Sequence, residues 1–585
     1  MSVISGPLAL FALFAIPSLV FQHTLLYPFT NLDDNFYIRD NANIKHLSWP
    51  NIWDTLSHSH FSHYMPLTFF SYTLDYHVWG LKPFGFRLSN LILHSANSAL
   101  LFVFLKRIGV RAGSAFGVAL LFAIHPVQLE SFIWIAERKT ILAAFFMLLG
   151  WIAHVEFRNH GTDETRSTRA WKNIRTAAFV AACLSKAIGF VFPFVLLAYD
   201  FFYLGRRSLK PLFKEYGFYF LVSFATAFLL VKAHADPVRP NYLPFGSRLG
   251  GWRMIPALVT RYLFLTVFPF RQSIYYELPT QGFSWLFQTA AGTVALIFLT
   301  CVFAVRKCRL EGPKLFWLAW YFIFLLPVLH LVPFPTTVQD RYLYFPVVAA
   351  GMFFFCFCPG PKYRRAVCAV LVFCYGAAAW QRSFVWANDG VLFSDALKKA
   401  PNDWRAWASM ATVLADQGET EKTAMFFEKA LKMPNAPKDD QYWAQVYYLK
   451  GEYEKASDVL NHTPPAGRDS DYFSKRGVLE AKMGQWDAAL ASLEEAVRLD
   501  PKSSSAHYQW AKILERRNGN FAKIENAYRT AIALDPDFKQ AFVDLANFYV
   551  KNGFPEKGMG VAREYLKNHP GDSLGLQNNK NHPSN

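Results

Sequence analysis

Two adjacent acids, Asp33 and Asp34, stand in the run NLDDNFYIRDN just beyond the first apolar segment of the chain. A carboxylate at a membrane surface can take a proton from an acceptor hydroxyl as general base, or bind a divalent cation through its oxygens. The plain alternative is a solvated turn or a helix N-cap. A second set lies in FAIHPVQLESFIWIAERKT, which puts His125, Glu130, Glu137, Arg138 and Lys139 at the outer end of a helical pair. Charges this close to lipid usually face a cavity or one another. Arg and Lys suit an anionic phosphate, Arg through its bidentate fork, with an interfacial salt-bridge network as the simpler reading. Lys186 in LSKAIGF and the pair Asp340 and Arg341 in VQDRYLYFP fall at the same outer boundary, so three segments bring cations to one level. His58, His60 and His63 of HSHFSH are spaced i, i+2, i+5, which favours no single helix face and reads as loop polarity rather than a metal site.

Such residues need elements that hold them at one depth. The 585 residues are 53% apolar, 17% aromatic and only 18% charged, too long and too apolar for one soluble domain. A spanning helix takes about 20 mainly apolar residues. Candidates lie near 5–27, 87–105, 113–130, 140–157, 173–190, 190–204, 216–232, 252–270, 286–305, 314–332, 341–358 and 366–381. Lys and Arg cluster in the turns KRIGVR at 106, Arg158–Arg175, GRRSLK at 205, RKCR at 306 and PKYRR at 361, where the positive-inside rule places them in the cytoplasm. Membrane topology therefore accounts for the formal charge of +17 without nucleic acid. The same rule puts 28–86, 130–139, 332–341 and the C-terminal domain outside if 233–285 crosses a net zero times, with 252–270 re-entrant or horizontal. About eleven crossings result. The N-terminus has no basic n-region and an apolar stretch long enough to span, so it reads as an uncleaved first helix. All seven cysteines lie in or beside apolar segments, which indicates neither a disulfide framework nor a zinc site.

After the last span, Gly418, Gly451, Gly484, Gly519 and Gly553 are spaced 33, 33, 35 and 34 residues apart, the period of the tetratricopeptide repeat (TPR). In DYFSKRGVLEAKMGQWDAALASLEEAVRLDP, Gly477 and Ala489 are small where two helices cross, Ala496 packs on the next unit and Pro501 ends the second helix. LFSDALKKAPN reads as a leading half-unit before about five units. The fold class is all-α: a polytopic transmembrane helical bundle over 1–385 with an outer loop at 28–86, a TPR α-solenoid over 390–570, and a polar tail at 571–585. Its concave face suits an extended acceptor protein or peptide; a purely architectural stalk is the alternative.

The ordered motifs NLDDNFYIRDNANI, MPLTFFSYTLDYHVWGLKPFGFRLSNLILHSANSALLFVFLKR, FAIHPVQLESFIWIAERKT, SKAIGFVFP and DRYLYFP, followed by the repeats, resemble bacterial TPR-containing integral membrane proteins. Those are similar to the animal transmembrane and TPR-repeat O-mannosyltransferases of the GT-C superfamily. The resemblance covers nearly the whole chain and implies a GT-C-like membrane domain. It marks Asp33 and Asp34 as the catalytic region, one of them the base, with Arg138, Lys139, Lys186 and Arg341 on the donor phosphate. His125, Glu130, Glu137, Asp340 and Tyr342 support the same face. The implied reaction passes a sugar from a polyprenyl-phosphate carrier to a protein hydroxyl, in a bacterial inner membrane with the repeats extracytoplasmic. A divalent cation at the acid pair is the one cofactor to test. Two residues depart from the pattern: Met65 stands where relatives carry a basic residue before the Pro, and Thr140 follows ERK where bacterial relatives often have Asp.

Three functions compete: a polyprenyl-phosphate-sugar-dependent glycosyltransferase, a non-catalytic membrane scaffold whose repeats recruit envelope or secretion partners, and a lipid or polysaccharide transporter. Charges gathered at one outward depth favour the enzyme, because a scaffold needs no acids and bases there.

Overall fold

The computed structural model describes residues 6–58, 64–160, 166–206, 208–234, 248–278, 282–304, 312–332, 336–357, 360–433, 436–437, 440–463 and 468–568, and they are helical with no strand among them. The membrane part runs α1 (Gly6–Phe21), α2 (Trp49–Ser57), α3 (Pro66–Trp79), α4 (Pro83–Arg107), α5 (Ala112–Ile124), α6 (Leu129–Phe132), α7 (Arg138–Asn159), α8 (Arg166–Ser185), α9 (Phe192–Ala198), α10 (Leu209–His234), α11 (Arg248–Val267), α12 (Gly282–Ala304), α13 (Gly312–Leu325), α14 (Pro346–Phe357) and α15 (Pro361–Ser383). Among the described residues, four helical stretches are long and apolar enough to cross a membrane: Gly6–Leu26, Pro83–Arg107, Ile135–Asn159 and Lys362–Trp386. A fifth is the pair Ala112–Ile124 and Pro126–Phe132, bent by 54°, and Ala187–Tyr203, Gly312–Val328 and Pro346–Phe355 are shorter apolar helices. The stretch predicted as re-entrant or horizontal contains one continuous helix, α11, packed so closely on α12 that a Cβ on Gly292 would lie 1.8 Å from the Pro256 carbonyl oxygen.

The bend at Pro126 and the irregular backbone from Ile133 to Glu137 position the site. Proline removes a helix donor, and each break strands carbonyls that apolar surroundings cannot satisfy. Polar side chains from neighbouring helices supply the missing donors. Tyr72 Oη donates to Ile135 O at 2.9 Å, Asn90 Nδ2 to Phe132 O at 3.2 Å, and Arg87 to Ile133 O. Gln128 Nε2 reaches Tyr344 O at 3.1 Å, which joins the bend to the DRYLYFP segment.

The repeats begin with a lone helix, α16 (Asp389–Lys399), followed by five pairs: α17 (Trp404–Asp416) with α18 (Thr420–Leu431), α19 (Asp440–Leu449) with α20 (Tyr453–Asn461), α21 (Ser470–Lys482) with α22 (Trp486–Leu499), α23 (Ser504–Arg516) with α24 (Phe521–Leu534), and α25 (Lys539–Lys551) with α26 (Pro555–Asn568). Glycine recurs because the turn inside each pair needs a left-handed residue: Gly418, Gly451, Gly484 and Gly553 have φ of 77°, 75°, 77° and 85°. In the fourth pair Asn518 takes that conformation, at φ 52°, and Gly519 follows it. The left-handed turn residues Gly418, Gly451, Gly484, Asn518 and Gly553 are thus spaced 33, 33, 34 and 35 residues apart, and Gly519 stands one residue past the turn position.

The array is not a separate bead. Leu392, Phe393, Ala396, Ala406 and Val413 are buried in the same apolar core as the membrane helices, whereas α23–α26 close a core of their own. The turns that precede and join the pairs also dock against the membrane part, at the segment between α11 and α12 and at the outer loop. Asn402 Nδ2 donates to Glu277 at 3.3 Å, Lys502 Nζ lies 3.6 Å from Asp54, and the buried Lys45 amine pairs with both Asp535 and Asp537. Tyr76 Oη adds a 3.0 Å bond to Asp537.

Candidate functional site

Asp33 and Asp34 occupy the same turn and do different things. Asp34 is fully buried; its Oδ2 accepts from Thr30 N at 3.0 Å and Thr30 Oγ1 at 2.9 Å, and its Oδ1 accepts from Ala136 N at 2.9 Å. Both oxygens are thereby committed to fixing the outer loop against the backbone beside Glu137. Burial pushes this carboxyl above its ordinary range. Asp33 keeps 40% of its side chain exposed and sets Oδ2 3.6 Å from Lys139 Nζ.

Lys139 opens a chain of charges. Its Nζ lies 3.2 Å from Glu137 Oε1; Glu137 also takes Lys186 Nζ at 3.0 Å, Arg341 Nε at 3.3 Å and Thr140 Oγ1 at 2.5 Å. Arg341 pairs in addition with Glu130, whose Oε2 accepts from Asp340 N at 2.8 Å. Three cations from three segments thus converge on one buried carboxylate, and removing Glu137 would leave them to repel one another in a low-dielectric setting. Trp134 walls the cluster, its ring centre 5.2 Å from the Arg341 guanidinium and 5.8 Å from Lys139 Nζ; Tyr37 stacks on Lys139 from the loop side at 4.8 Å. Cations held against aromatic faces and shared carboxylates keep donors that an anion can recruit.

Arg138, expected on the donor phosphate with Lys139, is turned away from this cluster: its guanidinium, 1% exposed, bonds Asn90 Oδ1 at 2.7 Å and Phe86 O at 2.8 Å, lies 2.5 Å from Asp75, and stacks on Tyr72. Consecutive residues at the start of a helix point about 100° apart, so Arg138 and Lys139 cannot share a face. His125 is likewise turned away from the cluster, to Thr266 O at 3.1 Å, with its ring edge-on to Tyr375. Asp340 lies behind Arg341, taking Tyr276 Oη at 2.5 Å and Gln272 Nε2 at 2.9 Å; burial and the nearby Glu130 charge push its carboxyl up to about 7. Tyr342 supports Arg341, its ring 5.3 Å beneath the guanidinium.

Thr140 bridges Glu137 and Lys186, with Lys186 Nζ 2.7 Å from its hydroxyl, where an aspartate would add a charge. Met65 is buried where α3 begins. The acid pair does not fit a divalent cation, because both Asp34 oxygens are spent on loop donors, and among the described residues no three His, Cys, Asp or Glu side chains gather to hold one. His60 and His63 lie outside the described residues, and His58 is exposed.

Residues beyond the predicted set do much of the positioning. Arg87 and Asn90 hold the broken backbone, and their polarity inside an apolar span was the available signal. Asn31, two residues before Asp33, donates its N–H to Asp389 Oδ1 and Oδ2 at 3.2 and 3.0 Å and its Nδ2 to Asp416 Oδ2 at 2.6 Å, both on repeat helices. Burial, together with the charges of Asp34 and Asp416 and opposed by the Asn31 N–H bond and by Arg39, lifts the Asp389 carboxyl to about 6. A raised acid takes up its proton in the folded state between that value and its ordinary range near 3.9, so folding gains as pH falls through this window and loses as it rises. Asp389→Asn should therefore raise the melting temperature over wild type at pH 7.5, with the gain shrinking towards pH 5; a gain independent of pH would count against a charged Asp389.

The chain is similar to several known proteins. A tetratricopeptide-repeat family model matches residues 475–523. The mouse "Protein O-mannosyl-transferase TMTC3" is 23% identical over 91% of this chain and 60% of its own length, and the fruit-fly Tmtc3 20% identical over 89% and 63%. A shorter match, 30% identical over 37% of this chain, is to the Xenopus laevis tmtc2 protein. Among solved structures, YrrB, "a TPR protein with an unusual peptide-binding site", is 24% identical over 31% of this chain and 94% of its own, with a TM-score of 0.21. The chain spans about three fifths of the length of the O-mannosyl-transferases it matches most broadly. Over nearly its whole sequence, the protein is similar to the TPR-containing O-mannosyltransferase-like proteins.

Proposed function

We propose that the protein is a membrane glycosyltransferase that passes a sugar, mannose by likeness to its relatives, from a polyprenyl-phosphate carrier to a protein hydroxyl outside the cytoplasm. The observation that carries this reading is the half-exposed Asp33 carboxylate set beside Lys139 at the edge of the Lys139, Lys186 and Arg341 cluster. Asp33 takes the acceptor's proton while the acceptor oxygen bonds the anomeric carbon, and the carbon–oxygen bond to phosphate breaks on the opposite face with inversion. Lys139, Lys186 and Arg341 hold the departing polyprenyl phosphate, whose charge grows as that bond breaks. Glu137 keeps the three cations together when no phosphate is there. The acceptor lies along the inner face of the repeats as an extended segment. The direct test is transfer of labelled sugar from polyprenyl phosphate to a serine- or threonine-bearing polypeptide by the purified protein in lipid vesicles.

This reading takes the bundle to cross the inner membrane of a bacterium about eleven times, with the bent and short helices as broken spans and the repeats outside. A reporter fused after residue 381 should accordingly be extracytoplasmic, since PKYRR at 361 holds the preceding turn inside. A cytoplasmic signal would place Asp33 on the wrong side for this acceptor.

A further inference from the structure

We propose that the TPR array positions the base of the reaction through Asn31, with Asp389 and Asp416 as positioning residues, so that the array sets turnover as well as capturing acceptor. This rests on the reading of Asp33 as that base.

Asn31 is the junction of two systems. Towards the repeats it spends its backbone N–H on both oxygens of Asp389 and its amide Nδ2 on Asp416. Towards its own loop, its Oδ1 accepts from Asn35 Nδ2 at 2.9 Å and from Arg39 Nη1 at 3.3 Å. Thr30, immediately before it, holds Asp34, and Asp33 O accepts from Tyr37 N at 2.9 Å. The turn that carries Asp33 is thus fixed at its base by Asp34 from the membrane side and by two carboxylates from the repeat side.

The helices that carry the repeat-side anchors are tied to the membrane part. Asp389 begins α16, capped by Asn388 Oδ1 accepting from Val391 N at 3.0 Å, and Leu392 and Phe393 on the next turn are buried in the membrane core. Lys399 at the far end of α16 donates to Gln272 O at 2.7 Å, and Arg382 pairs with Asp395 in between. Asp416 ends α17, whose Ser409 exchanges a 2.9 Å bond with Tyr275 Oη of the membrane domain. A short loop gripped by two fixed helices holds its side chains in one geometry, and a displacement of about 1 Å at a reacting group can cost on the order of 100-fold in rate. A tether that merely recruited acceptor would not need contacts to residues 30–35.

The test uses the full chain in lipid vesicles with polyprenyl-phosphate sugar and two acceptors: a pentapeptide with one serine, too short to run along the array, and a long polypeptide. Asp389→Ala with Asp416→Ala removes the acceptor oxygens that hold Asn31, whereas Asp389→Asn with Asp416→Asn keeps an oxygen at each place. The alanine pair should lower kcat about 10- to 100-fold on both acceptors with KM for the pentapeptide within about threefold, and the asparagine pair should stay within about threefold of wild type. Deuterium exchange at residues 30–37 should rise in the alanine pair alone. Unchanged pentapeptide turnover with a KM defect confined to the long acceptor would reduce the array to a tether and overturn the proposal. So would slower turnover without faster exchange, or an asparagine pair as damaged as the alanine pair. If Asp33→Asn is fully active while the alanine pair is still slow and loose, the base assignment fails and the clamp stands. A wild type that transfers no sugar overturns both.

Discussion

Asp33→Asn should lower sugar transfer about 100- to 10,000-fold, the usual loss when a general base is removed, without lowering the amount or melting temperature of the protein. The substitution keeps size and one acceptor oxygen but removes the charge that takes the proton. Asp33 is suited to such a change because it is half exposed and its charged neighbour, Lys139, is also held by Glu137. Asp34→Asn acts on a different link. An amide in place of that carboxylate presents an N–H₂ to either the Thr30 donors or the Ala136 N–H, stranding one of them in a buried site. Its defect should therefore appear as lost abundance and a lowered melting temperature, with activity falling in proportion. The measurements are labelled-sugar transfer per mole of folded protein and thermal unfolding in the same vesicles. Full activity per folded molecule in Asp33→Asn would remove Asp33 from the role of base, whereas no sugar transfer by the wild type, with partner recruitment lost in a variant lacking the repeats, would make the protein a scaffold.

How much of this was legible in the sequence depends on which interaction set each feature. The repeats were readable because their period is local: a small residue where helices cross and a left-handed residue in the turn recur at fixed intervals, even where Asn518 replaces glycine in the second role. The acid pair and the charges at 137–139, 186 and 341 were found by their depth relative to apolar spans, a one-dimensional property. Rotation about a helix axis was not readable at a break. Arg138 and Lys139 are adjacent in sequence, and which of the two faces the cluster depends on where α7 starts, which the irregular turn at Ile135–Glu137 decides. The same limit hid the division of labour between Asp33 and Asp34, fixed by a backbone N–H over a hundred residues away. Docking of the repeats onto the 28–86 region was hidden as well, since Asn31, Lys45 and Tyr76 are ordinary polar residues there until Asp389, Asp416, Asp535 and Asp537 come to meet them.

Arg138→Ala should destabilise the fold rather than weaken donor use. The guanidinium joins α3, α4 and α7: it lies against Asp75 on α3, donates to Asn90 Oδ1 and Phe86 O on α4, and stands 4.7 Å over the Tyr72 ring. Asp75 is itself held by Ser89 Oγ at 2.8 Å, so the acid cannot swing out freely once its cation is gone. Removing one partner of a buried pair leaves an uncompensated charge and costs about 3–5 kcal/mol, a large share of the 5–15 kcal/mol that typically holds a domain together. A steep fall in melting temperature and in membrane abundance is expected, while the protein that remains folded keeps its KM for the polyprenyl-phosphate donor. Replacing both partners by apolar groups, Arg138→Met with Asp75→Leu, should recover part of the loss, because no buried charge is then left alone. By contrast Lys139→Met and Arg341→Met, which remove cations beside Asp33, should raise donor KM and lower kcat together. Normal abundance of Arg138→Ala with a raised donor KM would reverse this assignment and return Arg138 to the donor phosphate.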